Sequence, residues 1–250
     1  MKKISVLIIV LYFSYGLMAQ TSGVINFTET IKLHMEMPGQ DPEMMKKIPQ
    51  THSVQKVLYF QGGESLYKNN LGNQDLEVNN NDQHGGEIRM VMKSPENTLY
   101  ADVKNNVMIN SQEFFGKLFL INGENKKQLW KITGEQKTLL DYTCVKAMLQ
   151  DTTNTVAWFT TKLPANMGPN GFTGLPGMIM MVDIDNGERI YVASKIELRD
   201  LAEGEMTKPE KGKKVSGEEF EKIRKEKMEE MGAVQGKGGT FKVMIREERN

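Results

Sequence analysis

The stretch that most constrains the fold is a loop at residues 167–177, which runs directly into an apolar segment. The loop holds four glycines and two prolines, and the next five residues, 178–182, are all apolar. Such a loop cannot continue a helix, and an apolar run bounded by turn residues is typical of a strand that is covered on both faces. We therefore expect a turn followed by a central strand, around which the rest of the chain is built.

Alternation of apolar and polar residues predicts the first strand, at residues 24–37. Ile25, Phe27 and Ile31 share one parity and polar residues fill the other, which is typical of a strand with one face in water. Glu29 falls on the apolar parity. We expect it at a bulge or at the rim of a cavity, where a buried carboxylate would need a partner.

Further strand patterns follow, separated by turn residues. Asn186-Gly187 between two alternating segments predicts a β-hairpin. Residues 69–86 are rich in Asn, Asp and Gly and predict a long loop, and residues 134–136 predict a turn. Residues 38–52 contain three prolines, which cannot donate to a strand ladder, so this segment is expected to be an exposed insertion.

One helix is predicted, at residues 216–231. Ser216 and Glu219 match a capping box, and Gly232 can end the helix. Apolar residues recur at near-helical spacing in between, at Phe220, Ile223, Met228 and Met231. Together with the strands, this predicts a mainly β fold of the α+β class. We expect a curved antiparallel sheet or an open half-barrel with the helix packed on it, as a single domain over residues 20–250.

Residues 1–19 are expected to be a signal peptide. Two lysines precede an apolar run at residues 4–18, which is too short to span a membrane comfortably, and Ala19 is a suitable small residue before the cut. Cleavage after Gly16 is the alternative. The protein is therefore expected in the periplasm or outside the cell, and not as an integral membrane protein.

Charge and chemistry exclude several classes of function. Without the leader, acidic side chains outnumber basic ones by two, so no basic surface for nucleic acid is expected. Cys144 is the single cysteine and no histidine lies near it in sequence, which favours a buried inert thiol. Neither a nucleophile elbow nor a phosphate-binding loop is present. Asp183, Asp185 and Gly187 depart from the spacing of a calcium loop. We expect a non-enzymatic protein with no cofactor and no catalytic residue.

The 18 methionines raise the question of a soft metal such as copper, since thioethers are soft ligands. On a strand, His34 points away from the face that Met35 and Met37 share, so these three side chains cannot bind one ion. Methionine as an adaptable core residue is the main expectation. The weak metal candidates that remain are His34, Met44, Met45 and His52.

The loop also contains a short motif. Pro followed by Gly within residues 175–178 predicts a type II turn. The motif resembles the one that names the GLPGLI family, secreted proteins of Bacteroidetes, with Met178 in place of Leu. Its residues here are Gly174, Leu175, Pro176, Gly177, Met178 and Ile179.

The resemblance extends along most of the chain. It includes the signal peptide, the segments 131–134, 142–147 and 157–159, and the charged helix near the C-terminus. The family has no known function, so the resemblance implies only a β-rich extracytoplasmic domain. At the level of pattern alone, the chain also resembles the half-barrel carriers that ferry lipoproteins through the periplasm.

Strands that are apolar on both faces favour a binding protein. Its concave apolar face would hold a lipid, a peptide or a partner's apolar segment. Candidates for lining a cavity or a contact are Glu29, Trp130, Tyr142, Trp158 and Phe172. The first alternative is a structural or assembly partner of an outer-membrane protein, with residues 167–177 as the contact. The second alternative is methionine-rich copper binding.

Overall fold

The computed structural model describes residues 22–34, 49–70, 75–81, 87–92, 94–126, 128–151, 153–230, 234–235 and 241–242. The strands are β1 Ser22–Lys32, β2 Thr51–Gln61, β3 Glu64–Asn69, β4 Leu76–Asn81, β5 Glu87–Met92, β6 Asn97–Asp102, β7 Val107–Phe114, β8 Lys117–Gly123, β9 Trp130–Leu139, β10 Tyr142–Leu149, β11 Thr155–Thr160, β12 Met178–Ile184, β13 Arg189–Glu197, β14 Lys213–Ser216, β15 Val234–Gln235 and β16 Phe241–Lys242. The helix, α1, is Gly217–Glu230. This confirms the predicted mainly β fold.

Twelve of the strands form one open sheet. Its order is β14-β8-β7-β6-β3-β2-β1-β13-β12-β11-β10-β9. Neighbouring strands are antiparallel throughout except for β14, which pairs with β8 in parallel. The sheet is therefore mixed, whereas the sequence predicted an antiparallel one. The long connection before β14 lets the chain return to the far edge and enter it in the same direction as β8.

The sheet is strongly curved, as a short turn at Pro169–Gly171 shows. This turn precedes β12 and yet contacts β12, β3 and β6. In a flat sheet, β6 and β12 would lie about 24 Å apart, given about 4.8 Å between neighbouring strands. A three-residue turn cannot span that distance, so the sheet wraps around the loop that contains it.

The main core lies on the concave side, between the sheet and this loop. It combines side chains from both halves of the sheet, such as Phe27, Tyr67 and Phe159, with Met167 and Leu175 of the loop. Ile25, Leu58, Ile179, Met180 and Tyr191 are completely buried there. The loop of residues 167–177, called the signature loop below, is thus part of the core.

The helix covers a second, smaller core at the other edge. Phe220 of α1 packs edge-on against Phe119 of β8, with ring centroids 5.3 Å apart. The predicted capping box is confirmed. The amide of Glu219 donates to Ser216 Oγ (3.1 Å), and the amide of Ser216 donates to Glu219 Oε2 (2.7 Å). The helix begins where these bonds satisfy its free amides.

Local differences from the sequence predictions concern the loops and turns. Residues 69–86 were expected to be one loop, but they include β4, which pairs with β5 as a separate hairpin. Residues 134–136 do not turn the chain, because β9 continues through Gly134 with a register shift against β10. The turn follows at Leu140 and Asp141, both with positive φ. Strand β2 begins at Thr51, inside the predicted insertion, and residues 35–48 lie outside the described residues.

Candidate functional site

The signature turn adopts a tighter geometry than the sequence predicted. The amide of Gly177 donates to the carbonyl of Leu175 (2.8 Å), which closes a three-residue turn around Pro176. A type II turn would instead direct the amide of Met178 to Leu175. That amide donates to the carbonyl of Leu163 (2.9 Å). The prediction of a type II turn is wrong because a bond to a neighbouring segment replaces the local one.

Gly177 is required by a close approach between two backbones. A Cβ at this position would lie 2.1 Å from the carbonyl oxygen of Thr160, and φ is +149°. A Cβ at Gly174 would lie 2.8 Å from the carbonyl oxygen of Gln128, with φ at +90°. The signature loop therefore fits against β11 and against the segment before β9 at positions where only glycine leaves enough room.

Trp130 and Gln128 hold the middle of the signature loop. Trp130 Nε1 donates to the carbonyl of Thr173 (2.8 Å), and the amide of Thr173 donates to Gln128 Oε1 (2.8 Å). Phe172 packs between two rings, with centroid distances of 6.2 Å to Trp130 and 6.3 Å to Tyr191. The predicted contact residues Trp130 and Phe172 therefore meet each other, and they serve to fix the loop.

A cleft of about 410 Å³ opens beside the turn. It lies between the signature loop, the turn after β6 and the segment that leads into β9. Four of its lining residues carry carboxamides: Asn106, Asn125, Gln128 and Asn166. The other lining residues are small or apolar: Val103, Thr173, Gly174, Leu175 and Pro176. Each carboxamide can both donate and accept hydrogen bonds. The described lining carries no charged side chain.

Glu29 lies in a second group of polar side chains, on the neighbouring strands β2, β1 and β13. Its carboxylate lies 3.6 Å from Lys56 Nζ and 3.7 Å from Arg189 Nε. Glu29 and Lys56 are buried, at 7% and 6% exposure. The register shift in β1 falls nearby, between Asn26 and Phe27. The sequence pattern predicted a bulge or a cavity rim at Glu29 and a partner for the carboxylate if it were buried; it is buried here and has two basic neighbours.

Two tyrosines complete this group, which we call the ionic cluster: Glu29, Lys56, Tyr67, Arg189 and Tyr191. The hydroxyl of Tyr191 accepts a hydrogen bond from Asn170 Nδ2 of the signature loop (3.1 Å) and interacts with Arg189 and Glu29. Burial raises the pKa of Tyr67 and of Tyr191, so both hydroxyls stay protonated. Burial also lowers the pKa of Lys56, against the opposing effect of Glu29.

The other aromatic candidates lie at the margin of the core. Tyr142 and Trp158 are partly buried against it. The Trp158 ring lies 4.2 Å from Lys137 Nζ, a cation–π contact, and Lys137 also donates to Met181 Sδ (2.8 Å). Tyr142 and Trp158 do not line the cleft beside the signature turn.

The described metal candidates have other partners. His34 Nε2 pairs with Glu188 Oε2, and His52 Nε2 forms a hydrogen bond with Ser94 Oγ (3.0 Å). Within the described part of the chain, no group of three or more His, Cys, Asp and Glu side chains is placed to hold a metal ion. Met44 and Met45 lie outside the described residues, so the copper hypothesis stays a prediction.

Cys144 is buried and forms no disulfide. Burial raises the pKa of its thiol, which keeps the sulfur protonated and weakly nucleophilic. No helix among the described residues is both long and apolar enough to cross a membrane.

Sequence reasoning missed the carboxamides of the cleft and the partners of Glu29. Asn125 and Asn166 lie in irregular segments, where an Asn carries no signal of its own. Lys56 did carry a signal. It shares its parity with Val54, Leu58 and Phe60, so it breaks the apolar alternation of β2 as Glu29 breaks that of β1.

A family model matches the part of the chain that contains the signature loop. The model of a family of proteins of unknown function (Porph_ging), associated with Bacteroidetes, matches residues 147–181, from the end of β10 into β12. No curated protein matches the chain.

Among solved structures, PNGF-II has a similar fold. In its P21 and C2 crystal forms it matches with a TM-score of 0.52 and 13% sequence identity over 81% of this chain. This chain spans about a third of the length of PNGF-II, 33% and 32% in the two forms. A likeness at this identity shows a shared fold and nothing about activity.

Proposed function

We propose that the protein is a non-enzymatic extracytoplasmic binding protein of the GLPGLI type. In this proposal the cleft beside the signature turn takes an extended, uncharged peptide segment of a partner protein. The supporting observation is the lining of the cleft, which combines four carboxamides with Val103, Leu175 and Pro176. Its volume of about 410 Å³ falls in the usual range of ligand sites, about 300–1,000 Å³.

A peptide suits this lining because every peptide unit offers one donor and one acceptor. A carboxamide side chain can pair with both groups at once. The apolar part of the lining can take an uncharged side chain of the peptide. A charged ligand would lose its water in a site whose described lining offers no opposite charge, which is unfavourable.

A binding role rather than catalysis is supported by the same residues. General acid–base and covalent catalysis use side chains that exchange a proton or attack a substrate, such as His, Asp, Glu, Cys or Lys. The cleft lining, as far as the structure describes it, consists of carboxamides, one threonine, a glycine and apolar residues. These groups bind and orient a ligand.

The cleft is a better place for a ligand than the apolar concave face. That face packs against the signature loop, and Ile179, Val182 and Tyr191 are fully buried beneath it. A lipid could enter only by displacing the loop. We propose an outer-membrane protein as the class of partner, because the signal peptide expected at residues 1–19 would direct the chain out of the cytoplasm.

The experiment is a selection from a random peptide library on residues 20–250, followed by fluorescence anisotropy with the enriched peptides. We expect uncharged peptides to bind. Asn125→Ala together with Asn166→Ala should weaken binding about tenfold, since each truncation removes about one hydrogen bond. Both side chains are at least partly exposed, so the fold should tolerate the changes.

The matched control is Gln61→Ala, an exposed carboxamide on β2 that does not line the cleft. This variant should bind like the wild type. The proposal fails if no peptide is enriched, or if the enriched peptides bind the double variant as tightly as the wild type.

A further inference from the structure

The ionic cluster carries an unbalanced charge. Lys56 and Arg189 are basic, and Glu29 is the acidic member between them. Both contacts exceed 3.5 Å, which is longer than a hydrogen bond. Lys56 Nζ donates to Asn69 Oδ1, whereas the contact with Glu29 leaves Nε of Arg189 unsatisfied. A buried charge without full compensation is costly.

Two buried polar atoms of the cluster point to the chemistry of the missing group. The hydroxyl of Tyr67 and Nε of Arg189 have no hydrogen-bond partner among the described residues, and Tyr67 is only 3% exposed. Buried groups of this kind are nearly always hydrogen-bonded. Both atoms carry a proton to donate, so the partner they require is an acceptor.

The surroundings fit an acceptor with a single negative charge and two oxygens. One negative charge would balance the excess positive charge of the cluster. Two oxygens could accept one hydrogen bond from Tyr67 and one from Arg189. The side chain of Arg189 is 26% exposed, whereas those of Glu29 and Lys56 are 10% and 8% exposed. Arg189 therefore marks the side from which a ligand can reach the cluster.

We propose that the ionic cluster is a binding site for the carboxylate group of a ligand, distinct from the cleft beside the signature turn. Tyr67 and Arg189 donate to the two oxygens, and Lys56 contributes charge. Two sources share this chemistry, a small organic acid and the carboxyl end of a peptide. Glu29 repels the ligand and keeps its affinity moderate.

The first test measures the melting temperature of residues 20–250 in sodium acetate against sodium chloride at equal ionic strength. We expect a saturable rise of about 3 °C in acetate once its concentration exceeds Kd about fivefold. N-acetyl-alanyl-alanine and its C-terminal amide form a second pair of probes. Binding of acetate assigns the site to small acids. Binding of the dipeptide acid alone assigns it to peptide ends.

Two variants separate this site from a purely structural cluster. Tyr67→Phe removes a hydroxyl without a described partner, so its melting temperature in chloride should be unchanged or slightly higher, while the acetate effect should disappear. Glu29→Gln removes the repelling charge and should bind acetate about tenfold more tightly. If Glu29→Gln does not fold, Arg189→Lys is tested in its place. This variant should lose the acetate effect because lysine lacks the planar guanidinium group that can donate two hydrogen bonds to one carboxylate.

Equal melting temperatures in acetate and chloride, with no effect of the dipeptide acid, would overturn the proposal. So would an undiminished acetate effect in Tyr67→Phe. A response to sulfate as large as that to acetate would contradict the carboxylate assignment. None of these results depends on the cleft, so the two proposals fail separately.

Discussion

Trp130 and Thr173 are joined by a hydrogen bond from the indole Nε1 to the backbone carbonyl, 2.8 Å long. Trp130 begins β9, an edge strand of the sheet, and Thr173 lies in the middle of the signature loop. The bond therefore ties an edge of the sheet to the loop that fills its concave side. The cleft beside the turn is framed by the same two segments.

Replacement of Trp130 by Phe should loosen this connection. The variant keeps an aromatic ring against Phe172 and leaves the carbonyl of the buried Thr173 without its donor. We expect the free energy of unfolding to fall by about 1–2 kcal/mol. Urea denaturation measures it. Trp158→Phe is the control, since that ring packs under Lys137. An equal loss in both variants would contradict this role of Trp130.

Gly177→Ala should be among the more destabilising glycine substitutions. Its Cβ would lie 2.1 Å from the Thr160 carbonyl oxygen, so the loop or β11 must move. We expect a loss of about 3 kcal/mol from overpacking and positive φ together. Gly62→Ala is the matched control because φ is +62° there and no atom lies within 4 Å of the added Cβ. It should cost about 1 kcal/mol. Similar losses in the two variants would show that the close approach is absent.

Glu29→Gln should destabilise the protein because it leaves the buried Lys56 and the partly exposed Arg189 without a counter-charge. Removing one partner of a buried ion pair costs about 3 kcal/mol or more. The comparison is Glu135→Gln, which removes the exposed partner of Lys146. An exposed pair of this kind contributes less than about 1 kcal/mol. If Glu29→Gln unfolds at the same urea concentration as the wild type, Glu29 does not bridge the two bases.

His52 should make stability depend on pH. Burial is the main cause that lowers its pKa below 6.5, and Asp75 and Glu29 oppose that effect. Because the folded pKa lies below the unfolded one, the unfolded chain takes up the proton first as the pH falls. The contribution of neutral His52 is therefore complete above pH 6.5 and is lost as the pH falls through the lowered value.

The measurement is the free energy of unfolding between about pH 7.5 and pH 5, where histidine titrates. The decline at low pH should be smaller in His52→Gln than in the wild type. His34→Gln is the control, since His34 pairs with Glu188 at the surface. An unchanged slope in His52→Gln would exclude His52 as the titrating group.

The fold could be predicted because period-two patterns and caps are local signals. Ile25 and Phe27 revealed the face of β1 that is buried, and Ser216 with Glu219 located the start of α1. Glu29 was informative for the same reason, since a charge on an apolar parity must be compensated in the folded protein. The partners of Glu29 could not be predicted, because Lys56 and Arg189 lie on strands that are far apart in sequence.

The signature loop shows why turns were harder to predict. The Pro-Gly pair favours a type II turn in isolation. In the folded chain the carbonyl of Leu163 takes the amide of Met178, and the turn tightens around Pro176. The parallel pairing of β14 with β8 could not be predicted either, because the sequence of the connection between β13 and β14 does not indicate the direction in which the chain joins the sheet. In each case tertiary contacts decide between locally acceptable conformations.

Amide hydrogen exchange of Thr173 tests most directly whether the signature loop is a fixed part of the core. Its amide donates to Gln128 Oε1, a bond that exists only if the loop is seated on the concave face. We expect protection within about 1 kcal/mol of the global unfolding free energy. The exposed turn at Phe115 should exchange freely and serves as the internal reference. Exchange of Thr173 as fast as that of Phe115 would mean that the loop opens independently of the sheet and would contradict this account.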